Sequence, residues 1–272
     1  MKLDFVKMHG CGNDYIYFNC FSQTIENPEK LAIKLSDRHK SIGGDGIILV
    51  CPPDNEGSDC KMRIFNADGS EAMMCGNGIR CVAKFYYDNI TQKNPVIVDT
   101  KSGAKKIDLE FDEDEVIGAT VDMGAPILEP ALIPSGGEQI IIDNFTARCV
   151  SMGNPHAVVF TDTPVEEIDL PTIGRKFEND PFFPERVNTE FVNIIGEHIL
   201  KMRVWERGSG ETQACGTGAC AVAVAACLDG YCKKNSEITV KLLGGDLEIE
   251  WTNDTVFMTG EAVEAFRGTI KV

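Results

Sequence analysis

The sequence predicts an α+β protein made of two similarly folded halves. A 23-residue stretch occurs twice, as residues 61–83 and 201–223, so that Cys215 follows Cys75 by 140 positions. Nine of the 23 paired positions are identical, and both copies contain a Cys-Gly-x-Gly sequence. A strand-like run precedes this sequence in each copy, and a helical pattern follows it. Because the spacing is about half of the 272-residue chain, we interpret the repeat as two related domains.

Each Cys-Gly-x-Gly sequence is predicted to begin a helix. In the first half the apolar residues have the i, i+3, i+4, i+7 spacing of one helix face: Ile79, Val82, Ala83 and Tyr86. In the second half residues 219–228 are apolar on every face and are followed by Asp229 and Gly230. That pattern is typical of a buried helix with a glycine stop. Each half should therefore wrap around a helix that starts next to a cysteine.

A cysteine at a helix start has a specific chemistry. The N–H groups and the positive end of the helix dipole favour the thiolate over the thiol. The same N–H groups bind anions, and glycines allow a ligand carboxylate to approach the backbone. If Cys75 and Cys215 serve one ligand, a thiol lies on each side of the bound carboxylate. That arrangement suits the removal of a proton from one face of a carbon and its delivery to the other.

The remaining elements of the first half follow in order. Two strands flank a glycine-rich turn at residues 9–14, and Asn27 with Pro28 predicts the start of a helix that continues to about His39. A strand is expected over 47–51, and three more over 95–100, 105–111 and 116–123. The acidic run Asp112–Glu115 has two interpretations, a domain crossing or a solvated hairpin turn.

The second half repeats this order. We expect strands near 139–150, a helical segment over about 164–177, a strand over 191–195 and three strands after the second helix. The last dozen residues are expected to return to the first domain. The predicted domains are 1–115 plus 261–272, which contains Cys75, and 116–260, which contains Cys215.

Composition excludes several classes of partner and site. The net charge of −16 argues against nucleic acid and against an anionic membrane surface. The N-terminus has no apolar signal core and no run is long enough to span a membrane, so we expect a cytoplasmic protein. Eleven cysteines without a secretory signal are expected to be reduced thiols. The scattered histidines and the absence of Cys-x-x-Cys argue against a zinc site.

Five motifs together carry a resemblance to a known family: MHGCGNDY, FNADGSEAMMCGNGIRC, MGNPHAVVF, PERVNTEF and ERGSGETQACGTGA. They occur in order, and the chain closely resembles the diaminopimelate epimerase family over nearly its whole length. The resemblance implies an α+β fold of two pseudo-symmetric domains, each a curved, mostly antiparallel sheet wrapped around a central helix. It also implies interconversion of LL- and meso-diaminopimelate, in the bacterial route to lysine and peptidoglycan, without pyridoxal phosphate or a metal.

The resemblance assigns roles to individual residues. It implies that Cys75 and Cys215 are the catalytic acid and base, acting on opposite faces of the α-carbon. It implies that backbone N–H groups of four residues hold the α-carboxylate: Gly76, Asn77, Gly216 and Thr217. Six side chains are carried over as contacts to the rest of the substrate: Asn13, Asn66, Asn154, Asn188, Glu206 and Arg207. His156 and Glu206 resemble residues that adjust the thiol pKa values, and Phe266 resembles an aromatic residue at a homodimer contact.

The structural alternatives for these residues are ordinary ones. Each Asn could be a turn residue that satisfies its own backbone, and Glu206 with Arg207 could form a surface ion pair. The repeat itself favours a role in orienting a substrate, because Asn66 and Ala67 of the first copy become Glu206 and Arg207 in the second. A site that is neutral on one side and charged on the other can orient a molecule with ammonium and carboxylate ends.

Three functions remain open from the sequence. The first is diaminopimelate epimerisation, and the second is racemisation of another amino acid, such as histidine or a proline derivative, by the same thiol pair. The third is a non-catalytic binding or redox-sensing protein. Position 46 matters for the choice between the first two functions, because some members of the resembled family carry Gln there, whereas this chain has Gly and no side chain.

Overall fold

The computed structural model describes residues 2–272 and divides them into two units, each dominated by β-strands. The first part of the chain contains β1 (Lys2–Gly10), β2 (Asn13–Asn19), α1 (Pro28–Ser36), β3 (Gly46–Cys51), β4 (Cys60–Asn66), β5 (Glu71–Ala72), α2 (Gly76–Asn89), β6 (Val96–Thr100), β7 (Gly103–Asp112) and β8 (Glu115–Gly124). The rest contains β9 (Gln139–Ile142), β10 (Phe145–Ser151), β11 (Pro155–Phe160), α3 (Leu170–Glu178), β12 (Asn188–Gly196), β13 (Ile199–Glu206), β14 (Gly210–Glu211), α4 (Gly216–Leu228), β15 (Glu237–Leu242), β16 (Gly245–Trp251), β17 (Val256–Glu261) and β18 (Val263–Lys271).

Unit 1 runs to Val121 and is completed by Thr259–Val272. Its strands surround α2, which contacts β1, β2, β3, β4, β6 and β7. Most neighbouring strands are antiparallel, and two pairs, β2–β3 and β4–β6, are parallel. The predicted return of the C-terminus is confirmed, because β18 pairs with β1 from Lys2↔Lys271 to His9↔Val263.

Unit 2, Asp122–Met258, repeats the same plan around α4. The order of pairing is parallel for β11–β12, antiparallel for β12–β13, parallel for β13–β15 and antiparallel for β15–β16. The corresponding pairs of unit 1, from β2–β3 to β6–β7, follow the same alternation. The predicted fold class and the duplication are therefore confirmed at the level of strand pairing.

The two central helices fill their units in different ways. From Ala219 to Ala226 every side chain of α4 is inaccessible to solvent, and the residues are Ala, Val and Cys. Small side chains allow the surrounding strands to pack closely, as the apolar sequence predicts. In α2 the predicted apolar face is buried, but so are the charged side chains of Arg80 and Lys84. The sequence pattern identified only the apolar face, and the burial of Arg80 and Lys84 was not predicted.

The structure corrects or decides several details of the sequence prediction. The helix predicted to reach His39 ends at Ser36, and Asn27 has a left-handed backbone with φ of 50° and makes no side-chain cap hydrogen bond. The acidic run is a hairpin turn, because Asp112 pairs with Glu115 between β7 and β8. The division between units falls later, after Val121, because β8 remains paired with β7 as far as Ile107↔Val121. The C-terminal segment of unit 1 begins at Thr259 rather than at residue 261.

Gly174 in α3 provides a test of the packing in unit 2. A Cβ at this position would lie 2.4 Å from Cγ of Trp205, whose indole also donates a hydrogen bond to Glu178 at 2.8 Å. We predict that Gly174→Ala lowers the free energy of unfolding by about 1–3 kcal/mol, because the ring must move to admit the methyl group. Urea denaturation measures the change. Thr172→Ala, at an exposed position of the same helix, is the control, and equal stability of the two variants would contradict this packing.

Candidate active site

Both repeated cysteines cap the helix that follows them, as predicted. Cys75 has an extended backbone with φ of −139° and ψ of 118°, and its Sγ accepts a hydrogen bond from the N–H of Gly78 at 3.3 Å. Cys215 has φ of −121° and ψ of 106°, and its Sγ accepts from the N–H of Gly218 at 3.4 Å. Each sulfur therefore lies at the positive end of a helix that is enclosed by its own unit. We call residues 75–78 the first Cys turn and residues 215–218 the second Cys turn.

Asn13 lies directly beside the first Cys turn. Its Oδ1 accepts a hydrogen bond from the Cys75 thiol at 3.1 Å, and its Nδ2 donates to Oδ2 of Asp45 at 2.7 Å. Asp45 also accepts from the N–H of Asp14 at 3.0 Å. Because Asp45 binds the amide nitrogen of Asn13, it turns the amide oxygen towards sulfur. Asp45 was not identified from the sequence.

Asn66 and Gly46 lie opposite one another on β4 and β3. The Asn66 amide donates to Oγ of Ser70 at 3.0 Å, so in this structure it stabilises the turn before the first Cys turn. A Cβ at Gly46 would lie 2.1 Å from the carbonyl oxygen of Phe65. Glycine is required at position 46 by this close approach of the two strands, and the Gln found in some family members does not fit this backbone.

The first residues of α2 are tied to a buried cation. Asn77 is 2% exposed, and its Oδ1 accepts a hydrogen bond from the guanidinium of Arg80 at 3.2 Å. Arg80 is fully buried and also donates to the carbonyl oxygens of Gly76, at 3.3 Å, and Glu261, at 3.1 Å. A positive charge is thus fixed within one turn of the N-terminus of α2. Sequence reasoning missed Arg80 because an arginine on a predicted amphipathic helix is usually solvated.

The second Cys turn is joined to a chain of polar side chains. Thr217 Oγ1 lies 3.5 Å from Cys215 Sγ and accepts a hydrogen bond from Nδ2 of Asn154 at 3.2 Å. Oδ1 of Asn154 lies 3.2 Å from Nε2 of His156. His156 is fully buried, and its Nδ1 lies 2.7 Å from Oε1 of Glu190, which is also fully buried. Three residues predicted for the site, Asn154, His156 and Thr217, are therefore brought together, and Glu190 was not predicted.

Glu206 is the last residue of β13 in unit 2, and Arg207 follows it. The Glu206 carboxylate accepts a hydrogen bond from the Thr212 hydroxyl, and the Arg207 guanidinium donates to the carbonyl oxygen of Glu185 at 2.8 Å. Asn188 is 3% exposed, and its Oδ1 accepts from the N–H of Arg207 at 2.9 Å. No ion pair between Glu206 and Arg207 is present in residues 2–272, so the surface-pair interpretation is wrong.

Negative charge surrounds the second Cys turn. Burial raises the pKa of the Cys215 thiol well above its usual value, and the nearby carboxylates of Glu206 and Glu190 raise it further. Burial likewise raises the pKa of the Glu206 carboxyl, against hydrogen bonds from Thr212 and Cys215. Cys215 is therefore held as the protonated thiol in the absence of a ligand. That state suits a proton donor.

Phe266 lies away from both Cys turns, on β18. Its side chain is 49% exposed, and its ring meets that of Phe5 edge to face at a centroid distance of 6.0 Å. An exposed aromatic side chain whose orientation is fixed by a neighbouring ring can contact another protein chain. The homodimer contact remains a prediction.

No group of three or more His, Cys, Asp or Glu side chains in residues 2–272 is arranged to hold a metal ion. Among the same residues, none of the helices has both the length and the apolar character that a membrane span requires. All eleven cysteines are free thiols.

Comparison with known sequences gives one family. A family model described as diaminopimelate epimerase matches residues 5–129 and 148–264. A diaminopimelate epimerase of Acetivibrio thermocellus is 52% identical over 278 residues, which cover 98% of each chain. One from Methanococcus maripaludis is 49% identical and covers 99% of this chain and 100% of its own.

Comparison with solved structures gives the same fold at low sequence identity. A hydroxyproline epimerase from Agrobacterium vitis has a TM-score of 0.71 and 13% identity, covering 99% of this chain and 91% of its own. A structure described as a predicted epimerase from Pseudomonas aeruginosa has a TM-score of 0.72 and 15% identity, covering 99% of both chains. At these identities the likeness concerns the fold alone.

The buried Glu206 carboxyl predicts a pH dependence of stability. Burial raises the pKa of Glu206 in the folded protein, so as pH rises past about 4, the ordinary pKa of a glutamate, the unfolded chain ionises Glu206 more readily than the folded chain does. The free energy of unfolding then falls as pH rises, until the folded pKa is passed. We predict that Glu206→Gln gains stability relative to the parent as pH rises from about 4 towards neutrality, by about 1.4 kcal/mol for each unit of difference between the folded and unfolded pKa. Urea denaturation across this range measures it, and a difference independent of pH would contradict it.

Proposed function

This chain belongs to the diaminopimelate epimerase family, and we propose that it interconverts LL- and meso-diaminopimelate, a step of lysine biosynthesis, by proton transfer between two cysteines. It is an isomerase that acts on an amino acid. The observation that carries the proposal is the duplication of one chemical device. Two units of the same topology each present a thiol as the cap of a buried helix, with sulfur bound to the N–H three residues later.

Two capping thiols suit a reaction that inverts a carbon centre. The thiolate of one cysteine removes the α-hydrogen, so that an S–H bond forms as the C–H bond breaks. The other cysteine gives its proton to the opposite face of the carbanion and becomes the thiolate. Cys75 and Cys215 exchange protonation states in each turnover, and the reverse reaction uses them in the opposite order. No oxidant, reductant or further reactant is needed.

The helix starts stabilise the charge that develops during proton removal. N–H groups at the beginning of a helix have no carbonyl partner within the helix, and the dipole favours an anion beside them. We assign the α-carboxylate of the substrate to N–H groups of Gly76, Asn77, Gly216 and Thr217. Negative charge moves onto this carboxylate as the α-hydrogen leaves, so donors already in place lower the barrier.

The remaining predicted contacts differ between the units, which supports a role in orienting the substrate. In unit 1 they are the amides of Asn13 and Asn66, and Asn13 also touches Cys75. In unit 2 they are Asn154, Asn188, Glu206 and Arg207. Glu206 carries an acceptor for an ammonium group, and Arg207 carries donors for a carboxylate. The distal stereocentre of diaminopimelate has both of these groups.

The proposal also includes a homodimer and a cytoplasmic location. Phe266 supports a homodimer, because its ring is exposed and is held in place by Phe5. A biosynthetic role with free thiols supports a cytoplasmic location. Size-exclusion chromatography with light scattering tests the homodimer, and Phe266→Ser should shift the mass to that of the monomer.

Deuterium incorporation tests the reaction and the substrate together. Reduced protein is incubated in deuterated water with LL-diaminopimelate, meso-diaminopimelate, histidine, proline and hydroxyproline in separate samples. We predict label at the α-carbon of diaminopimelate, with conversion of each isomer into the other, and no label in the other amino acids. Label in histidine or a proline derivative alone would replace the substrate assignment. Absence of label from every sample would favour a binding or redox-sensing protein.

Cysteine substitutions test the two-thiol mechanism. We predict that Cys75→Ala and Cys215→Ala each lower the rate of epimerisation at least about 100-fold, the usual contribution of a general acid or base. Cys227→Ala is the matched control, because Cys227 lies at the other end of α4 and should keep the parent rate within about twofold. Binding of diaminopimelate by both inactive variants, measured by calorimetry, separates lost chemistry from lost folding. Full activity in either variant would exclude the mechanism.

A further inference from the structure

Strand register identifies which residues are equivalent in the two units. Glu190 pairs with Val204 in unit 2, and Ile48 pairs with Ile64 in unit 1. Because residue 204 is the repeat partner of residue 64, Glu190 occupies the position of Ile48. By the same register His156, which pairs with Asn188, occupies the position of Tyr15, which pairs with Gly46.

The glycines of the two Cys turns support this equivalence. A Cβ on Gly78 would lie 2.8 Å from Cδ1 of Ile48, and a Cβ on Gly218 would lie 2.6 Å from Oε1 of Glu190. Each side chain therefore packs against the last residue of its own Cys turn. The duplicated fold thus has an apolar residue beside the first cysteine turn and a carboxylate beside the second.

Glu190 is an unusual residue for this position. Its side chain is fully buried, and Oε2 has no hydrogen-bond partner within residues 2–272. Burial of a carboxylate costs several kcal/mol unless the charge is paired. Its one bond, from Oε1 to Nδ1 of His156 at 2.7 Å, joins it to the chain through Asn154 and Thr217 to Cys215. An isoleucine at this position would fill the space without that cost.

The fixed charges near the two Cys turns have opposite signs. Unit 1 buries Arg80 against the first residues of α2, and its repeat partner in unit 2 is the uncharged Cys220. Unit 2 buries Glu190 against α4, and its equivalent in unit 1 is Ile48. The charge difference is therefore built into residues that are inaccessible to solvent in both units.

We propose that Glu190 is a positioning residue, which holds the His156 ring in the chain that ends at Cys215 and keeps Cys215 as the proton-carrying thiol of the ligand-free enzyme. The catalytic consequence of this inference rests on the proposed function. The effect of Glu190 on His156 and on the Cys215 thiol does not depend on it. The duplicated scaffold supplies two similar thiols, and Glu190 makes them unequal.

Three strands supply the charged and titratable groups that face Cys215. They are His156 on β11, Glu190 on β12 and Glu206 at the end of β13, and the first turn of α4 contributes no acidic side chain. Of these, Glu190 can be neutralised with little change in shape, because the Gln amide oxygen can still accept a hydrogen bond from His156 Nδ1. Glu190→Gln therefore separates the charge of the side chain from its hydrogen bond.

Alkylation by iodoacetamide without substrate tests the charge effect. The rate of labelling reports the fraction of thiolate, and peptide mass spectrometry distinguishes Cys215 from the other cysteines. At pH 8, Cys215 in Glu190→Gln should react about tenfold faster than in the parent, because loss of the nearby carboxylate lowers the thiol pKa. Cys75 should react at an unchanged rate. Cys220, which is fully buried, should stay unlabelled, which excludes a general loosening of unit 2.

A second variant, Glu190→Ile, tests the positioning effect. It places in unit 2 the residue type found at the equivalent position of unit 1, and it removes the acceptor for His156 Nδ1. Because Asn154 and Thr217 then lose their support, KM for diaminopimelate should rise about fivefold, as expected for one weakened hydrogen bond. Glu190→Gln, which keeps the bond, should retain the KM of the parent. If Glu190→Ile does not fold, the alkylation rates of Glu190→Gln still decide the charge effect.

The possible results separate this inference from the proposed function. Equal Cys215 labelling in the parent and Glu190→Gln would overturn the proposal, as would equal KM values for the Gln and Ile variants. A lower melting temperature with unchanged labelling would assign Glu190 to stability alone, which also overturns it. If the parent protein does not epimerise diaminopimelate but Cys215 labelling changes as expected, the proposed function fails while the structural role of Glu190 stands.

Discussion

The structure depends on one local interaction that occurs twice, the hydrogen bond from a helix N–H to the sulfur of the residue that caps the helix. Cysteine is an uncommon cap, because Ser, Thr, Asp and Asn supply better acceptors. Here it places sulfur at the positive end of a helix, in the first turn, where helix N–H groups favour an anion. The strands of each unit enclose this helix, so the position of sulfur is set by the core rather than by a mobile loop. Rigid support of this kind is what proton transfer at a defined carbon requires.

A duplicated scaffold alone would give two equivalent thiols, and an epimerase needs one base and one acid at any moment. The side chains that pack on the two Cys turns remove the equivalence. Unit 1 contributes the Asn13 amide and the buried Arg80, and unit 2 contributes His156, Glu190 and Glu206. The backbone of the two Cys turns is equivalent in the two units, whereas these side chains differ. The backbone therefore sets the position of each sulfur, and the side chains set the charge around it.

The sequence predicted the features that depend on local pattern. The repeat located both Cys turns, the apolar run of residues 219–228 predicted a buried helix, and the alternating segments predicted most strands.

Features that depend on contacts distant in sequence were missed. Arg80 is buried because it bonds to the carbonyl of Glu261, which lies 181 residues away, and no local pattern signals that contact. Glu190 was missed because a charged residue in a strand usually faces solvent, and its equivalence with Ile48 follows from strand register rather than from the sequence repeat. Asn27 precedes a proline in the manner of a cap, yet its backbone is left-handed.

The central claim is that two thiols on different units act on one stereocentre, and the distribution of label at early times tests it most directly. The parent enzyme converts LL-diaminopimelate in deuterated water, and the reaction is stopped when about 5% has reacted, early enough for return of product to be minor. With two bases, the meso product carries deuterium at the inverted carbon, because its new hydrogen comes from a thiol that has exchanged with solvent. The LL substrate that remains stays unlabelled. Substantial retention of the original hydrogen in the product would mean that a single group removes and returns the proton, and it would contradict the account.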